Sequence, residues 1–481
     1  MTVTALDDST PGTLVLSAGV DSFTVGGTLN VGANGTLRVY VDGATGTSSK
    51  LVANTATFAS GAKISATIST LAKAEGTYTV VSAGTLTGVD TIDSTALNMP
   101  VLFNGTLSQD ENDLLLTISR KSASQLGLNA AQAAAYDAIL DTAGDYTALQ
   151  TSLLQVADTA ALQSQFSQLL PVFNGGAFDL VTRASRLAAQ HVSDDSSIFT
   201  ISDFGGWLQP IYFRGTRQED ASGAGFKTDG FGLSAGLERR FGFGNVGLSF
   251  LYFSGNAKTG DYQKVKGTSY EAGLHWRLAS GPFYAYARGA FAKTNFKSTR
   301  NFTGTISGND FSYAAAGKWN GWLASATGGL SYQVGLGDGF SIKPKATLEY
   351  YRLHENDYAE TGDAALALTV GSRNSSVLNA NTTLVAAWSA GESSYEGRPF
   401  TVELEGGRRN RLSGDLGSLS AETVSGSSYT LTPETLKSAW VGSLSILQGG
   451  LDYTWKLSGG AEKIQGGGMA YTARASFSIA M

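Results

Sequence analysis

A group of polar residues near the middle of the chain has the spacing needed to form ion pairs along one face of a helix. The residues are Asp179, Arg183, Arg186 and Gln190. They lie three or four positions apart in a helix predicted over residues 177–192, and a second, apolar stripe starts at Phe178. Such a helix is roughly 25 Å long, close to the thickness of a bilayer's hydrocarbon core. It is too polar to face lipid, and on these residues alone an amphipathic helix on a soluble core explains the pattern as well.

Side chains suited to catalysis or metal binding are scarce. The three histidines, His191, His275 and His354, are scattered, and there is no cysteine. Residues 1–170 contain no histidine and no Gly-x-Ser-x-Gly motif, so they offer no Ser/His/Asp triad. The acidic cluster at 110–113 lacks the glycine and the terminal glutamate of a calcium loop. We therefore predict no enzymatic site, no metal and no cofactor in this chain.

The composition is typical of a β-rich protein. Of 481 residues, 60 are Gly and 8 are Pro, and charged residues make up 15% against the usual quarter. The lack of cysteine suits a chain that crosses an oxidising periplasm unfolded, and a net charge of −6 argues against nucleic acid as a partner. No apolar run is long enough for a transmembrane helix. The first nine residues do not read as a signal peptide, so we expect an exported form to carry a leader outside this sequence.

The sequence pattern of the N-terminal part predicts stacked strands followed by helices. Short β-branched segments, many of them starting with Gly-Thr-Leu, recur between residues 13 and 118 and are typical of β-solenoid coils. Segments 101–107 and 114–118 predict a hairpin that closes the coils. Residues 122–170 are rich in Ala, Leu and Gln and predict three short helices. Suitable N-caps for these helices are Asn129, Asp145 and Asp158.

From residue 205 to 481, apolar and polar residues alternate with period 2. The segments are often ten residues or longer, with Trp and Tyr near their ends, which favours lipid-facing strands around a polar lumen over a soluble sandwich. Long polar connections are predicted at 216–227, 254–266, 293–318, 355–374, 411–437 and 459–468. Short ones are predicted at 241–245, 279–282, 335–339, 389–398 and 447–450. This alternation predicts a twelve-stranded antiparallel outer-membrane β-barrel, with both chain ends of the barrel on the periplasmic side.

A twelve-stranded barrel leaves a bore about as wide as one helix, roughly 10 Å. Because helix 177–192 directly precedes the first strand, we predict that it spans the lumen and leaves residues 1–170 at the outer surface. We expect Arg183 or Arg186 to pair with inward-facing carboxylates, since charge-assisted pairs are strong inside a lumen. The charged residues predicted to face inward are Glu271, Arg277, Glu349, Glu403, Glu405, Asp452, Lys456 and Arg474.

This order of elements resembles the monomeric (type Va) autotransporters of Gram-negative bacteria. The features that carry the resemblance are the Gly-Thr-Leu coils, the hairpin, the helices and a barrel whose sequence begins with GGWLQPIYFRGTRQED. In addition, two segments are similar to the second to fifth strands of that translocator domain. They are GFKTDGFGLSAGLERRFGFGNVGLSFLYFSG and VKGTSYEAGLHWRLASGPFYAYARGAF. It implies four units. These are the end of a right-handed β-solenoid passenger (1–121), a helical connector (122–171), a pore-spanning helix (172–194) and a translocator barrel (195–481).

The resemblance also implies a function and partners. Barrels of this family lie in the outer-membrane lipid as monomers, are assembled with periplasmic chaperones and the barrel-assembly machinery, and export their own passenger to the cell surface. The last passenger coils, here 13–119, often act as an autochaperone. Family barrels usually end in an aromatic residue, whereas the last residue here is Met481. The alternation is kept, with Phe477, Ile479 and Met481 on the outward face. We therefore expect a weaker C-terminal assembly signal.

Two alternatives stay open. A passive porin or adhesin barrel would keep its N-terminal domain in the periplasm and have an open pore. The resemblance also suggests self-cleavage, because some family members cut their passenger off beside an asparagine inside the pore with the help of lumen carboxylates. Asn174, which precedes a glycine, lies at the corresponding place, although the family's pair of asparagines is absent.

Overall fold

A computed structural model describes residues 2–3, 12–19, 21–92, 97–199, 201–220, 223–390 and 398–481. Strands β1 to β10 are Thr2–Val3, Gly12–Val15, Ser22–Val31, Gly35–Asp42, Thr47–Ser48, Lys50–Phe58, Lys63–Ile68, Gly76–Thr87, Phe103–Asp110 and Asp113–Arg120. Helices α1 to α4 are Ala130–Asp145, Thr147–Leu154, Thr159–Leu169 and Gly176–Val192. Strands β11 to β19 are Phe204–Arg217, Phe226–Phe241, Gly244–Thr259, Gln263–Ser280, Phe283–Ile306, Asn309–Tyr332, Val334–Gly337, Phe340–Glu355 and Tyr358–Ala359. Strands β20 to β28 are Thr361–Gly362, Leu368–Val370, Arg373–Ala390, Arg398–Ser413, Leu419–Thr423, Ser428–Leu431, Ala439–Gly449, Tyr453–Ile464 and Gly468–Ala480.

Twelve of the described strands close into an antiparallel barrel. The order around the wall is β11, β12, β13, β14, β15, β16, β18, β22, β23, β26, β27 and β28. The last strand pairs with the first, for example at Gly205 and Ala480, and this pairing closes the wall. The predicted twelve-stranded antiparallel barrel is therefore confirmed.

The period-2 pattern sorts side chains between the two faces of the wall. On β14, Tyr270 and Leu274 are exposed, whereas Glu271 and His275, on the opposite face, are buried. Because successive side chains of a strand point to opposite faces, each strand presents apolar groups to lipid and polar groups to the lumen.

Three connections predicted to be long are short hairpin turns instead. The β13–β14 turn spans only residues 260–262, β15 and β16 run 24 residues each through the predicted 293–318 loop, and a tight turn joins β27 to β28. The predictions failed because polarity marks where a strand leaves the lipid, whereas ladder hydrogen bonds continue to form beyond it. The connections after β11, β18 and β23 are long, as predicted. Within the connection predicted at 389–398, residues 391–397 lie outside the described part of the chain.

The N-terminal strands pair mainly in parallel. One row contains β3, β6 and β8, with Leu51 opposite Val81, and a second row contains β2, β4 and β7. The hairpin β9–β10 follows, with β10 antiparallel to β8, at the place predicted for the closing hairpin. Buried Leu, Val and Ile side chains of these rows belong to one hydrophobic cluster that continues into α1, α2 and α3.

The helices that follow begin largely as their capping residues predict. Asn129 caps α1 by accepting a hydrogen bond from the Gln132 amide, and Asp158 caps α3. Asp145 is not a cap, because α1 continues through the preceding glycine and Asp145 is its last residue. Among the described helices, none is both long enough and apolar enough to cross a membrane.

Candidate functional site in the barrel lumen

Helix α4 lies inside the barrel and runs along its axis. Its first residue follows Gly175, which adopts a positive φ of 86° and lies against Leu416 in the long β23–β26 connection. Its last residue, Val192, accepts a hydrogen bond from the Tyr284 hydroxyl at the end of the barrel with the short turns. With 17 residues, α4 covers about 25 Å of the lumen.

One face of α4 is apolar and packs against half of the wall. The helix contacts β11 to β16, where Leu180 and Leu187 lie in a buried cluster with Ile211 and Phe213. Gly267 of β14 permits the close approach, because a Cβ there would lie 2.8 Å from Leu180 Cδ2. Near the start of the helix, Phe178 is buried in a second apolar cluster on the inner wall. The apolar stripe is therefore what holds α4 to one side of the lumen.

The polar face of α4 begins with Arg183, which binds two carboxylates. Its guanidinium lies 2.8 Å from Asp179 on the helix and 3.1 Å from Glu462 on β27. Glu462 also pairs with Arg409 of β23. Neither Glu462 nor Arg409 was predicted as a lumen residue, and Glu462 fell in the segment predicted as the 459–468 loop.

Arg186 pairs with one of the acidic residues predicted to face inward. Its Nε donates to Glu349 Oε2 at 2.9 Å, and the two side chains are 15% and 6% exposed. The guanidinium also lies over the Tyr351 ring, 5.3 Å from its centroid. The helix is thus tied to β18 as well as to β27.

The segment after α4 carries two aspartates that were not among the predicted lumen residues. Asp194 lies 2.7 Å from Lys456 and 4.0 Å from Arg474, both predicted to face inward. Asp195 lies 2.7 Å from Lys343. Both aspartates follow the last residue of the predicted helix, where no periodic pattern indicates which way a side chain points.

A further ion pair lies where α4 ends. Arg277 Nε donates to Glu238 Oε2 at 2.7 Å, and its Nη1 donates to Ser197 Oγ at 2.7 Å and to the Asp194 carbonyl at 3.2 Å. His275 Nε2 lies 3.5 Å from Glu238 Oε2. The predicted inward residue Arg277 therefore binds the wall and the chain that enters the first strand.

The other inward residues pair within the wall. The pairs are Glu271 with Arg288, Glu405 with Lys345 and Glu403 with Lys456. Asp452 does not face the lumen, so this prediction is wrong. It is exposed in the turn between β26 and β27, because the alternation of 451–457 was extended through the turn.

The predicted C-terminal residues are exposed at the closing seam of the barrel. Phe477 and Ile479 alternate with buried serines on β28, and Met481 follows the end of that strand. The Met481 amide donates to the Phe204 carbonyl at 2.9 Å, which joins the chain terminus to the start of β11.

A polar cavity lies beside α4, mainly on the side that faces away from its apolar contacts. It has a volume of about 180 Å³ and is lined by α4 and by residues of β15, β16, β18, β22, β23, β26, β27 and β28. Gln190 lines it together with lysines, arginines and carboxylates of opposite charge.

Asn174 lies at the entrance of the lumen. Its amide nitrogen donates to Thr259 Oγ1 at 2.8 Å and to the Ala224 carbonyl at 3.3 Å, and its Oδ1 accepts from the Gly176 amide. These partners are hydroxyl and backbone groups. None of them is a carboxylate that could take a proton from the amide.

Above the lumen, the connector helices dock on β15 and on the long connections. Arg300 of β15 pairs with Glu360, with its Nε 3.0 Å from Oε1, and donates to the carbonyls of Leu169 and Leu170 at 2.9 and 3.1 Å. Strands β19, β21, β24 and β25 form a small sheet, the outer sheet, which contacts α1. Arg300 was not among the predicted site residues, because it lies in a segment predicted to be an extended polar loop.

A comparison with family models identifies the barrel. The model described as "Autotransporter beta-domain" matches residues 206–462, more than half of the chain. The chain belongs to the autotransporter family. The autotransporter barrel lies in the bacterial outer membrane and serves as a translocator in passenger export.

Solved structures with a similar fold include other autotransporter barrels. The translocator domain of NalP from Neisseria meningitidis is 17% identical, with a TM-score of 0.48, over 64% of this chain and 97% of that one. The transport unit of AIDA-I from Escherichia coli is 11% identical, with a TM-score of 0.42, over 64% and 100%. A search of curated protein sequences gave no significant match.

Among the described residues, no group of three or more histidines, aspartates and glutamates could hold a metal ion. The arrangement that the structure shows in the lumen is ion pairing between α4 and the wall that surrounds it.

Proposed function

We propose that this autotransporter barrel exports the chain that precedes α4 and holds residues 1–170 at the cell surface. The observation that carries the proposal is the direction of α4, which begins beside the long connections and ends beside the short turns. Because the long connections of outer-membrane barrels are extracellular, a chain threaded this way has its N-terminal part outside. The connector helices dock at the same end of the barrel, α1 on the outer sheet and α2 and α3 on β15, which supports the same placement.

In this proposal α4 plugs the lumen once export is complete. The four units predicted from the sequence become, in order, the passenger end, the connector, the pore helix and the barrel. Insertion depends on the barrel-assembly machinery and periplasmic chaperones, with Phe477, Ile479 and Met481 as the C-terminal signal. The barrel acts as a monomer.

Protease shaving of intact cells tests the proposal. The chain is expressed behind a signal peptide with an epitope added before Thr2, and cells are treated with a protease that does not cross the outer membrane. Loss of the epitope while the barrel stays intact is the expected result. Protection of the epitope until the outer membrane is permeabilised would place residues 1–170 in the periplasm and would favour the porin.

The same experiment tests self-cleavage. Without added protease, the epitope and the barrel should migrate as one chain. Two fragments divided near Asn174, restored to one chain by Asn174→Ala, would instead establish that the barrel releases its passenger.

A further inference from the structure

Seven lysines lie on the outer face of the barrel near its extracellular end. They are Lys227, Lys258, Lys264, Lys266, Lys293, Lys297 and Lys318, here called the lysine patch. They occupy five consecutive strands, β12 to β16, and all seven are exposed. They alternate along these strands with buried lumen residues, so their side chains point away from the lumen.

The strand register brings the lysines directly opposite one another. Lys258 pairs with Lys227 on one side and with Lys264 on the other. Lys297 likewise pairs with Lys266 and with Lys318. Cβ atoms of directly opposite residues lie about 5 Å apart, and like charges in such pairs repel. Two rows of adjacent ammonium groups therefore cost stability unless an anion lies between them.

No carboxylate of the described chain neutralises the patch. Among the described residues, none of the seven lysines forms an ion pair, whereas the lumen lysines Lys343, Lys345 and Lys456 each do. One outward carboxylate, Asp229, shares a register row with Lys266, but it accepts a hydrogen bond from Asn256 at 3.3 Å. The patch thus carries an excess of positive charge.

The depth of the patch matches the headgroup layer of the membrane. Outward aromatic residues follow the same five strands just below the lysines. They are Phe231, Tyr252, Tyr270, Phe291 and Trp322. Lys293 lies directly between Tyr270 and Trp322. Aromatic belts mark the boundary between hydrocarbon and headgroups, so the lysines reach the polar groups of the outer leaflet.

We propose that the lysine patch binds the phosphate groups of an outer-leaflet glycolipid. Two rows of ammonium groups on a flat wall fit a headgroup that carries more than one phosphomonoester, while the acyl chains lie along the apolar wall below. Lysine suits this role because its ammonium group acts as a mobile point charge toward phosphate. The lipid occupies the positions where like charges face one another, which explains why the repulsion is tolerated.

Binding of diphosphorylated lipid A by the purified full chain in neutral detergent tests the proposal. The test variant replaces Lys258, Lys264, Lys297 and Lys318 with Gln. A control replaces three outward cations on other strands, Arg214, Arg408 and Lys463, with Gln, which is one charge fewer than in the test variant. The test variant should bind at least tenfold more weakly, the control within about twofold of the parent, and binding by the parent should weaken as salt increases.

The heat stability of the folded barrel gives an independent readout. Without lipid, the test variant should be as stable as the parent or more so, because repulsion is relieved. Added lipid A should stabilise the parent more than the variant. If four substitutions prevent folding, Lys297→Gln with Lys318→Gln replaces them.

Three results would overturn the proposal. Equal binding of lipid A by the parent and by the test variant would show that the lysines do not contribute to the site. Equal binding of lipid A with and without its phosphates would show that the phosphates are not what the patch recognises. Competition by inorganic phosphate at the same concentration as lipid A would show a site for free phosphate rather than for a lipid.

Discussion

At the scale of single residues, the lumen contains charges that are buried but matched. Arg183, Arg186 and Arg277 each bind a carboxylate. The first two pairs join α4 to the wall, at β27 and at β18. A buried pair contributes little net stability compared with apolar residues, but loss of one partner leaves an uncompensated charge. The pairs therefore favour one position of α4 over others.

The pair between Arg186 and Glu349 allows a direct measurement. We expect Arg186→Ala and Glu349→Ala each to lower the free energy of unfolding by roughly 3 kcal/mol, because each leaves the other charge buried. The double variant should lose less than the sum of the two single variants. The temperature at which the folded barrel unfolds in detergent measures the effect. Lys463→Ala, an exposed charge, is the control, and additive losses in the cycle would show that the two residues do not interact.

Tyr136 of the connector predicts a pH dependence. Burial raises the pKa of Tyr136 to about 12, and its hydroxyl donates to the Lys121 carbonyl at 2.8 Å. Since the folded pKa lies above the unfolded value of 10.0, its contribution is complete below pH 10 and is lost as the pH rises toward 12. We expect the urea midpoint of the helical circular dichroism signal to fall more steeply above pH 10 in the parent than in Tyr136→Phe. Identical slopes would contradict this.

The sequence predicted which residues face the lumen better than it predicted which residues pair with one another. Period 2 placed Glu349 and Arg277 on the inner wall, because side-chain direction depends only on position along one strand. It could not pair Arg183 with Glu462, because Glu462 fell in a segment predicted as a loop and because the pairing depends on how α4 is turned against the wall. Asp194 was missed because it lies between a helix and a strand, where neither period applies.

At the scale of elements, the position of α4 can be tested with a disulfide. Ser185 Oγ on α4 lies 3.3 Å from Ser325 Oγ on β16, and the chain has no cysteine of its own. We expect Ser185→Cys with Ser325→Cys to form a disulfide in the exported protein, seen as faster migration of the heated chain without reductant. Ser185→Cys with Ser445→Cys, on β26 across the cavity, should stay reduced. The reverse pattern would place α4 against the other half of the wall.

The docking of the connector depends on Arg300. Arg300→Met removes the partner of Glu360 and of the two carbonyls at the end of α3, which are buried and need a donor. We expect residues 122–171 to be cut at least tenfold faster by a protease while the barrel stays intact. Arg288→Met is the matched control, because Arg288 pairs with Glu271 within the wall. Equal protection in Arg300→Met and in the parent would show that the hydrophobic cluster alone holds the connector.

The sequence predicted the elements well where lipid imposes a pattern. The twelve strands and α4 follow from apolar periodicity. The ends of β13, β15 and β27 do not, because strands that continue into water no longer need an apolar face. The outer sheet has an apolar face, with Leu368, Leu419 and Leu431 buried in the cluster that includes the connector helices, but it was missed because its short strands lie in segments predicted as polar connections.

At the scale of the whole molecule, the barrel is closed by its own chain, both inside the lumen and over one end. α4 fills the side of β11 to β16, the charged cavity beside it measures about 180 Å³, and the connector and the outer sheet lie over the extracellular end. A cavity of this size holds several waters but no exporting chain. A closed lumen of this kind is what our proposal requires of the barrel after export.

Conductance in a planar bilayer tests this closed state. We expect the full chain to give low steady conductance and the variant Leu180→Asp with Ala184→Asp to conduct several times more. Both residues are buried against Phe213 and Phe253, and burial of two unpaired carboxylates costs several kcal/mol, enough to drive α4 from the lumen.

The matched control adds the same two charges on the other side of the helix. Gln190→Asp with Ser193→Asp places them in the hydrated cavity, where they can be solvated, so the conductance should stay low. A parent that conducts as an open pore would contradict the closed state. Equal conductance of the two double variants would show that the apolar face of α4, the contact with β11 to β16, is not what keeps the pore shut.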